Sequence, residues 1–412
     1  MRTYCVPFAF ASVSGLKEKK KFMSNRNVQL YPVAQALGAA SPPIIISLGG
    51  LVSMSLNAPQ ELMTMPVFLF NLGVALSTLP AAFLVSQFGR KAAYMFAAVV
   101  AMIAGVIAAT SIINQSFVWF CVGTLLVGFY AAHVQSYRFA IAEGLQGPEQ
   151  GKAISRVMIG GLAAAVIGPQ VVVWTQGAMD AKYAGSFFGL SVLAVLALLV
   201  LATLPSSEAK GAKQKAKSDV RLLDLLTRPK YVTAVAAGVV SYGLMAFVMT
   251  AAPIAMVSHG HEVHQAALGI QWHVLAMFAP SFFTGKLMAK YGKARITSIG
   301  LLLIAVSGVI ALVGLELTHF WGSLILLGIG WNFGFIGATA LVAESASDEE
   351  KSVAQGFNDF LIFSIVAVGS FMSGLLLNSQ GWQMLNLVIF PIVAFVLALM
   401  LFNQRRSNKS AV

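Results

Sequence analysis

The stretch LVSQFGRK at residues 84–91 lies between two long apolar segments, and a related stretch, LMAKYGK, follows at residues 287–293. Their glycines, Gly89 and Gly292, are 203 residues apart, close to half of the 412-residue chain. Self-similarity at a fixed separation is the sequence signature of an internal repeat. The sequence therefore predicts two copies of one structural unit, each with a basic turn at the corresponding place.

The composition is that of a membrane protein. Hydrophobic residues make up 58% of the chain and charged residues 10%, whereas a typical soluble domain is about 25% charged. Because an apolar helix of roughly 20 residues spans a bilayer, we predict an all-α membrane protein with twelve transmembrane helices in two pseudo-symmetric six-helix bundles. The predicted spans cover about 30–56, 62–86, 92–113, 116–142, 152–175, 184–204, 232–256, 266–289, 297–315, 321–344, 353–377 and 383–402.

The tails and the linker, which lie outside the two bundles, are basic and polar. We predict a cytoplasmic tail at 1–28, a first bundle at 29–204, a cytoplasmic linker at 205–231, a second bundle at 232–403 and a cytoplasmic tail at 404–412. A short amphipathic surface helix is expected within 219–226 of the linker. Met23 begins a short polar segment that leads into the first span. The residues before it are therefore candidates for an extension produced by a start site assigned too far upstream.

The basic residues fix a predicted orientation. With the N-terminus inside, 25 of the 27 Lys and Arg residues fall on the cytoplasmic side, Lys182 alone faces outward, and Arg138 lies within the fourth span. This asymmetry predicts both termini in the cytoplasm and, in a bacterium, the inner membrane. It also explains the net charge of +12 better than nucleic-acid binding, which needs a basic face on a folded domain.

Signals for an enzyme are missing from the sequence. There is no Walker A loop, dinucleotide fingerprint, nucleophile elbow or zinc-ligand spacing, and the two cysteines, Cys5 and Cys121, lie far apart. We therefore expect neither an enzyme nor a cofactor-binding protein. Without a Walker A loop, any energy that the protein uses would come from a gradient of protons or of another coupling ion.

The two basic turns resemble the loop signature G-x-L-A-D-R-x-G-R-K of the major facilitator superfamily. The signature aspartate is absent from both copies, where Ser86 and Ala289 stand. The resemblance implies that family's fold and a monomeric secondary transporter that works by alternating access around a midplane site. The positions that we assign to gating and to this loop motif are Gly89, Arg90, Lys91, Gly285, Lys290, Gly292, Lys293, Asp359, Glu143 and Lys152.

The fourth and tenth spans carry the candidate substrate site, because the resemblance places both beside the cavity. Tyr130, His133 and Tyr137 share one face of the fourth span at helical spacing. The corresponding stretch of the tenth span, 201 residues later, contains Trp331, Asn332 and Phe335. A packed interhelical stripe is the alternative interpretation of this face. Gln271 and His273 on the eighth span are the next candidates.

Two charged residues lie inside predicted spans. An intramembrane charge is costly and marks a candidate functional site, so Arg138 could attract an anionic substrate group, or it could snorkel and pair with Glu143. Asp359 could bind a proton, or it could pack beside the loop that holds Arg90 and pair with it in the outward-facing state. Thr124 replaces an arginine that the family signature carries in proton-coupled members.

The prediction is thus a secondary active transporter of a small organic solute, aromatic or anionic, embedded in the lipid bilayer. One alternative is a non-transporting sensor or assembly factor with the same fold. The other is a transition-metal transporter that uses the histidines of residues 259–273, although those at 259–264 lie in a predicted external loop where solvated histidines are ordinary.

Overall fold

The computed structural model describes residues 25–142, 148–204, 222–347 and 350–409, and within these ranges it contains helices and no strands. A 3-10 turn covers Gln60–Leu62. The α-helices are α1 (Asn25–Gly38), α2 (Ser41–Ser55), α3 (Met65–Ile113), α4 (Phe117–Gln135), α5 (Tyr137–Ala142), α6 (Pro148–Thr175), α7 (Ala184–Ala202), α8 (Leu222–Leu226), α9 (Pro229–Ser258), α10 (Val263–Phe278), α11 (Ser281–Tyr291), α12 (Lys293–Val313), α13 (Leu317–Glu344), α14 (Lys351–Leu387) and α15 (Ile389–Lys409).

The helices of the described ranges can account for twelve membrane crossings. In the described ranges nine helical segments are long and apolar enough to cross, and the pair α10–α11, bent by 42°, makes a tenth. Two of the ten contain 54 and 52 residues, which at about 1.5 Å per residue is more than twice a hydrocarbon core of about 30 Å. Each is broken by a glycine with a φ of 78°, Gly89 in α3 and Gly381 in α14, so each supplies two crossings.

The break at Gly89 has a counterpart in the second half. Gly292, between α11 and α12, has a φ of 88°, and both glycines lie in the basic turns that the sequence repeats. A residue with a Cβ is strained in this left-handed region. The repeated turn therefore uses glycine for its backbone geometry in both halves.

The two halves also repeat their closest helix contacts. A Cβ on Gly128 of α4 would lie 2.2 Å from the carbonyl oxygen of Phe70 in α3. A Cβ on Gly328 of α13 would lie 2.6 Å from the carbonyl oxygen of His273 in α10. The same backbone-to-backbone approach thus occurs in each six-helix bundle, and it tolerates no side chain at either glycine.

Several predicted boundaries shift by a few residues. Helix α1 begins within the predicted N-terminal tail, α8 lies inside the amphipathic stretch expected in the linker, and α15 continues beyond residue 403 to Lys409. The predictions for residues 1–24, 205–221 and 410–412 fall outside the described ranges. The domain boundaries therefore stay predictions.

The two ends of the bundle differ in how the halves meet. We call the end with Gln60–Leu62 the outer end and the end with Gly89 and Gly292 the inner end. Toward the outer end, the amide of Asn71 donates a hydrogen bond to the hydroxyl of Ser370 at 2.9 Å. The rings of Phe68 and Phe371 also meet there, with 5.7 Å between centroids. These contacts hold the halves together at the outer end.

Candidate functional site

An aromatic cluster lies near the middle of the helices of the second half. It consists of Tyr242 in α9, Phe278 at the end of α10, Trp331 and Phe335 in α13, and Phe363 in α14. The rings of Trp331 and Phe335 are stacked with centroids 5.1 Å apart and planes inclined by 20°. Tyr242 meets both edge-on at 5.4 Å and 5.1 Å. The cluster offers aromatic faces and edges in the arrangement that favours flat organic molecules.

The indole of Trp331 has an unused hydrogen-bond donor. Trp331 is 6% exposed, and its Nε1 has no hydrogen-bond partner among the described residues. A buried donor without a partner is costly, and an indole N–H can only donate. A ligand acceptor placed beside the cluster would satisfy this group.

Arg138 of the first half faces this cluster across the interface between the bundles. It lies in α5 with its side chain exposed to solvent, and it interacts electrostatically with Asp359 and Tyr242 of the second half. Asp359 is also exposed and accepts a hydrogen bond from the amide of Asn358 at 3.2 Å. Two solvated charges within spans indicate a water-filled space between the halves.

Asn332 has a structural position. Its amide donates hydrogen bonds to the carbonyl oxygen of Met277 at 2.6 Å and to the hydroxyl of Ser281 at 2.7 Å, and its Oδ1 accepts one from Thr284 at 2.6 Å. Met277 is in the last turn of α10, where carbonyls lack intrahelical partners. Asn332 is fully buried and satisfies the carbonyl group that the break between α10 and α11 leaves without an intrahelical partner. A substrate role for Asn332 stays a prediction.

The structure places Tyr130, His133 and Tyr137 inside the first bundle rather than beside the aromatic cluster. All three are at most 1% exposed. Tyr137 packs edge-on against Tyr94 with ring centroids 4.7 Å apart, and His133 Nδ1 forms a hydrogen bond with the carbonyl oxygen of Phe129 at 2.9 Å. The interhelical packing alternative describes these contacts, and a substrate role for the three residues stays a prediction.

Tyr130 and Trp331 have different surroundings because they are not equivalent positions of the repeat. Their separation differs by one residue from that of the residues that make equivalent contacts in the fourth and tenth spans. Tyr137 contacts Tyr94, and in the second half a Cβ on Gly337 would lie 2.3 Å from Oγ1 of Thr297. Thr297 follows Tyr94 by 203 residues, but Gly337 follows Tyr137 by 200. The glycine contacts at 128 and 328 give the same separation. The contacts therefore correct the sequence-based alignment of the fourth and tenth spans from 201 to 200 residues.

One residue corresponds to a rotation of about 100° around a helix. On the corrected alignment Tyr130 corresponds to Gly330, which approaches the backbone of Gly300, and Trp331 corresponds to Ala131. Trp331 can therefore belong to the aromatic cluster while Tyr130 faces the interior of its own bundle.

Gln271 contacts the first half of the protein, whereas His273 packs within the second half. Oε1 of Gln271 accepts a hydrogen bond at 3.0 Å from the amide of Gln170, which joins α6 of the first half to α10 of the second. His273 is fully buried, and its Nδ1 forms a 2.6 Å hydrogen bond with the carbonyl oxygen of Leu324. Gln271 therefore contributes to the contact between the halves, and His273 to packing within the second half.

The basic turns are tied to the helices beside them. Arg90 donates a hydrogen bond to the carbonyl oxygen of Ala140 at 3.1 Å, and Lys293 pairs with Glu344 at 2.7 Å. The Nζ of Lys290 lies 5.1 Å from the ring centroid of Tyr291. The contacts of Arg90 and Lys293 connect each turn to its own half, and the gating role of these residues stays a prediction.

Other positions of the loop motif have different surroundings. Gly285 has open space around its Cα, and Lys91 is half-buried. Glu143 lies outside the described residues, and so does the side chain of Lys152. The ion pair between Arg90 and Asp359 was expected for an outward-facing state and stays a prediction, because the structure is closed at its outer end.

The outer histidines bond to separate partners. His259 Nδ1 lies 2.7 Å from the carbonyl oxygen of Ala255, His261 Nε2 lies 2.8 Å from that of Leu315, and His264 lies 2.8 Å from Glu262. In the part of the chain that the structure describes, no three His, Cys, Asp or Glu side chains are grouped as metal ligands. The transition-metal alternative gains no support from this geometry.

The duplicated twelve-span architecture with a solvated, aromatic-lined interface defines a membrane transporter. The chain belongs to the major facilitator superfamily, whose family model matches residues 33–270 and 233–412. It is thus a multi-pass membrane transporter and not an enzyme.

Two curated relatives cover nearly the whole chain. The riboflavin transporter RfnT of Brucella anthropi is 55% identical over 390 residues, which are 94% of this chain and 98% of that protein. YdeG of Bacillus subtilis, an uncharacterized MFS-type transporter, is 28% identical over 391 residues and 90% of each chain.

Solved structures share the fold at low sequence identity. A mutant of the nucleoside transporter NupG matches with a TM-score of 0.75 and 14% identity, over 91% of this chain and 99% of that one. A bacterial homologue of the human lysosomal transporter Spinster, crystallised in an inward-facing and occupied conformation, matches with a TM-score of 0.69 and 12% identity, over 92% and 96% of the two chains.

Proposed function

We propose that this protein transports riboflavin or a closely related flavin across the inner membrane by alternating access. The observation that carries the proposal is the aromatic cluster with the unpartnered indole N–H of Trp331, at the interface between the two halves. The 55% identity to a riboflavin transporter supports the choice of solute.

The chemistry of the cluster suits a flavin. An isoalloxazine is a flat tricycle with an apolar methylated edge and a polar edge of carbonyl and imide groups. Aromatic rings of Tyr242 and Phe335 would contact its faces, and the N–H of Trp331 would donate to a carbonyl oxygen. The guanidinium of Arg138 presents several donors to the remaining carbonyl or to hydroxyls of the ribityl chain. A few directed polar groups in an apolar surround fix the orientation of a ligand.

The contacts between the halves support an inward-open state of an alternating-access cycle. The Asn71–Ser370 and Gln170–Gln271 hydrogen bonds lie toward the outer end, whereas Arg138, toward the inner end, is exposed. Two repeated bundles around a midplane site can exchange this closure for the opposite one by rocking. On the predicted orientation the open side is the cytoplasm, both termini are cytoplasmic, and one monomer contains the complete site.

The test uses a riboflavin-auxotrophic bacterium that lacks its own riboflavin uptake system. We expect expression of the full chain to restore growth at low riboflavin concentration, and purified protein in liposomes to move radiolabelled riboflavin. Imposed proton and sodium gradients, each in both directions, identify the coupling ion and the direction of flux. Well-inserted protein that neither binds nor moves riboflavin would contradict the proposal.

A further inference from the structure

A second cavity lies at the inner end of the second half, apart from the aromatic cluster. It has a volume of about 330 Å³ and opens between α9, α12, α13 and α15. Lys230 at its mouth and Tyr242 in the cluster are 12 residues apart on α9, which is about 18 Å along a helix. Helices α12 and α15 contribute nothing to the cluster. The cavity is therefore separate from the proposed flavin site.

The cavity has an apolar floor and a polar mouth. Its floor is formed by Ala234, Ala294, Leu341 and Met400, together with Thr233, whose hydroxyl is hydrogen-bonded to Pro229 and Asn403. Its mouth carries Lys230, Glu344 and Ser345, at or next to the inner ends of α9 and α13, and Asn403 and Gln404 in the last two turns of α15. An apolar floor below a polar mouth at the membrane border matches an amphipathic molecule with its head group toward the water.

The charge at the mouth favours an anion. The carboxylate of Glu344 is paired with Lys293 at 2.7 Å, so its charge is compensated. Lys230 has no carboxylate partner among the described residues, and Gln404 is followed in the sequence by two arginines. Basic pockets between transmembrane helices on the cytoplasmic side suit anionic lipid head groups.

We propose that this cavity binds an anionic phospholipid, with the phosphodiester beside Lys230 and the glycerol and first acyl carbons against the apolar floor. A volume of about 330 Å³ equals that of about ten water molecules, which is far more than a phosphate group fills. An acyl chain can also enter sideways from the bilayer, which borders α12 and α15. A free phosphate would contact the mouth and leave the floor uncovered.

Native mass spectrometry of the purified full-length protein in detergent tests this proposal, with phosphatidylglycerol and phosphatidylcholine as competing lipids. We expect one phosphatidylglycerol to be retained in preference to phosphatidylcholine. Lys230→Gln should lower this preference about fivefold, the factor that corresponds to about 1 kcal/mol for one lysine near the membrane surface. Lys182→Gln, the same change at a lysine of the outer side, should leave it unchanged.

A second variant tests the floor without changing the charge. Ala294 is half-buried, so Ala294→Leu should fill the cavity and reduce retention of both lipids. Unchanged lipid retention in Lys230→Gln and Ala294→Leu would overturn the proposal. Displacement of phosphatidylglycerol by equimolar inorganic phosphate would also overturn it, because the floor would then contribute nothing. If Lys230→Gln is poorly folded, two other variants decide the outcome. Lys230→Arg should keep the preference for phosphatidylglycerol, and Ala294→Leu should reduce the retention of both lipids.

Discussion

The indole N–H of Trp331 gives the sharpest test of the flavin site. Trp331→Phe keeps a ring that can stack on Phe335 but removes the donor that lacks a partner in the described structure. A hydrogen bond contributes about 0.5–1.5 kcal/mol net, so we expect riboflavin to bind about 2- to 13-fold more weakly. Trp331→Ala removes the stacking surface as well, and stacking of a heterocycle on an aromatic side chain contributes about 1–3 kcal/mol more.

A second tryptophan provides the matched control. Trp382 is also buried with an Nε1 that has no partner in the described residues, but it packs against Phe320 at the outer end, with 5.1 Å between ring centroids. Trp382→Phe therefore makes the same chemical change away from the site. We expect it to leave riboflavin affinity unchanged.

Quenching of riboflavin fluorescence by purified protein measures the dissociation constants, and a thermal melt of the ligand-free protein measures stability. Removing the indole N–H should cost the ligand-free protein little stability, because this buried donor has no partner among the described residues and its desolvation is already unfavourable in the folded state. Wild-type affinity in a folded Trp331→Phe variant would refute the hydrogen bond to the ligand. Equal losses in Trp331→Phe and Trp382→Phe would show a general effect of the substitution.

Four further predictions concern other contacts and the topology. Transport losses of Arg138→Ala and Asp359→Ala should be non-additive in the double variant, since the two charges interact; additive losses would separate them. Gly128→Ala and Gly328→Ala should each lower the free energy of unfolding by about 1–3 kcal/mol through overpacking. Gly161→Ala is the control and should leave the free energy of unfolding unchanged in thermal melts, because its Cβ would meet nothing within 4 Å. Hydrogen bonds from Arg228 lower the pKa of Glu350 to about 2. The pair should therefore stabilise the protein at pH values above 4.5, the carboxyl pKa in the unfolded chain, and lose this effect as the pH falls toward 2. The melting temperature of Arg228→Gln should accordingly change less with acidification than that of the unchanged protein. On intact cells a membrane-impermeant maleimide should label a cysteine at position 261 and not one at position 213, and the reverse pattern would invert the predicted topology.

The sequence predicted the architecture because the features that determine it are local and repeated. Gly89 and Gly292, 203 residues apart, have the same left-handed backbone in the structure. The apolar segments became helices because a bilayer leaves unpaired backbone groups no other partner. Neither feature depends on how a helix is rotated about its axis, so a single sequence was enough.

The site was harder to predict because helix rotation decides it. Tyr242 and Phe363 were missed, since a single aromatic residue in an apolar span looks the same whether it faces lipid, the core or a cavity. Asn332 has a structural role that was not predicted: Pro280 breaks the eighth span, and Asn332 satisfies the carbonyl oxygen of Met277 that this break exposes. A proline inside a predicted span is the signal that could have indicated this structural role.

Rocking between two states needs halves that are stiff internally and joined weakly. Within each half, Gly128 and Gly328 bring two helix backbones so close that no side chain fits between them, and such contacts cannot slide without loss of packing. Between the halves at the outer end, the Asn71–Ser370 and Gln170–Gln271 bonds join uncharged groups. Water can replace such bonds at a net cost of about 1 kcal/mol each, so the outer closure can open while each bundle keeps its structure. In the proposed alternating-access cycle the aromatic cluster would move as part of the second half and Arg138 as part of the first, so a flavin held between them would contact both halves in either state.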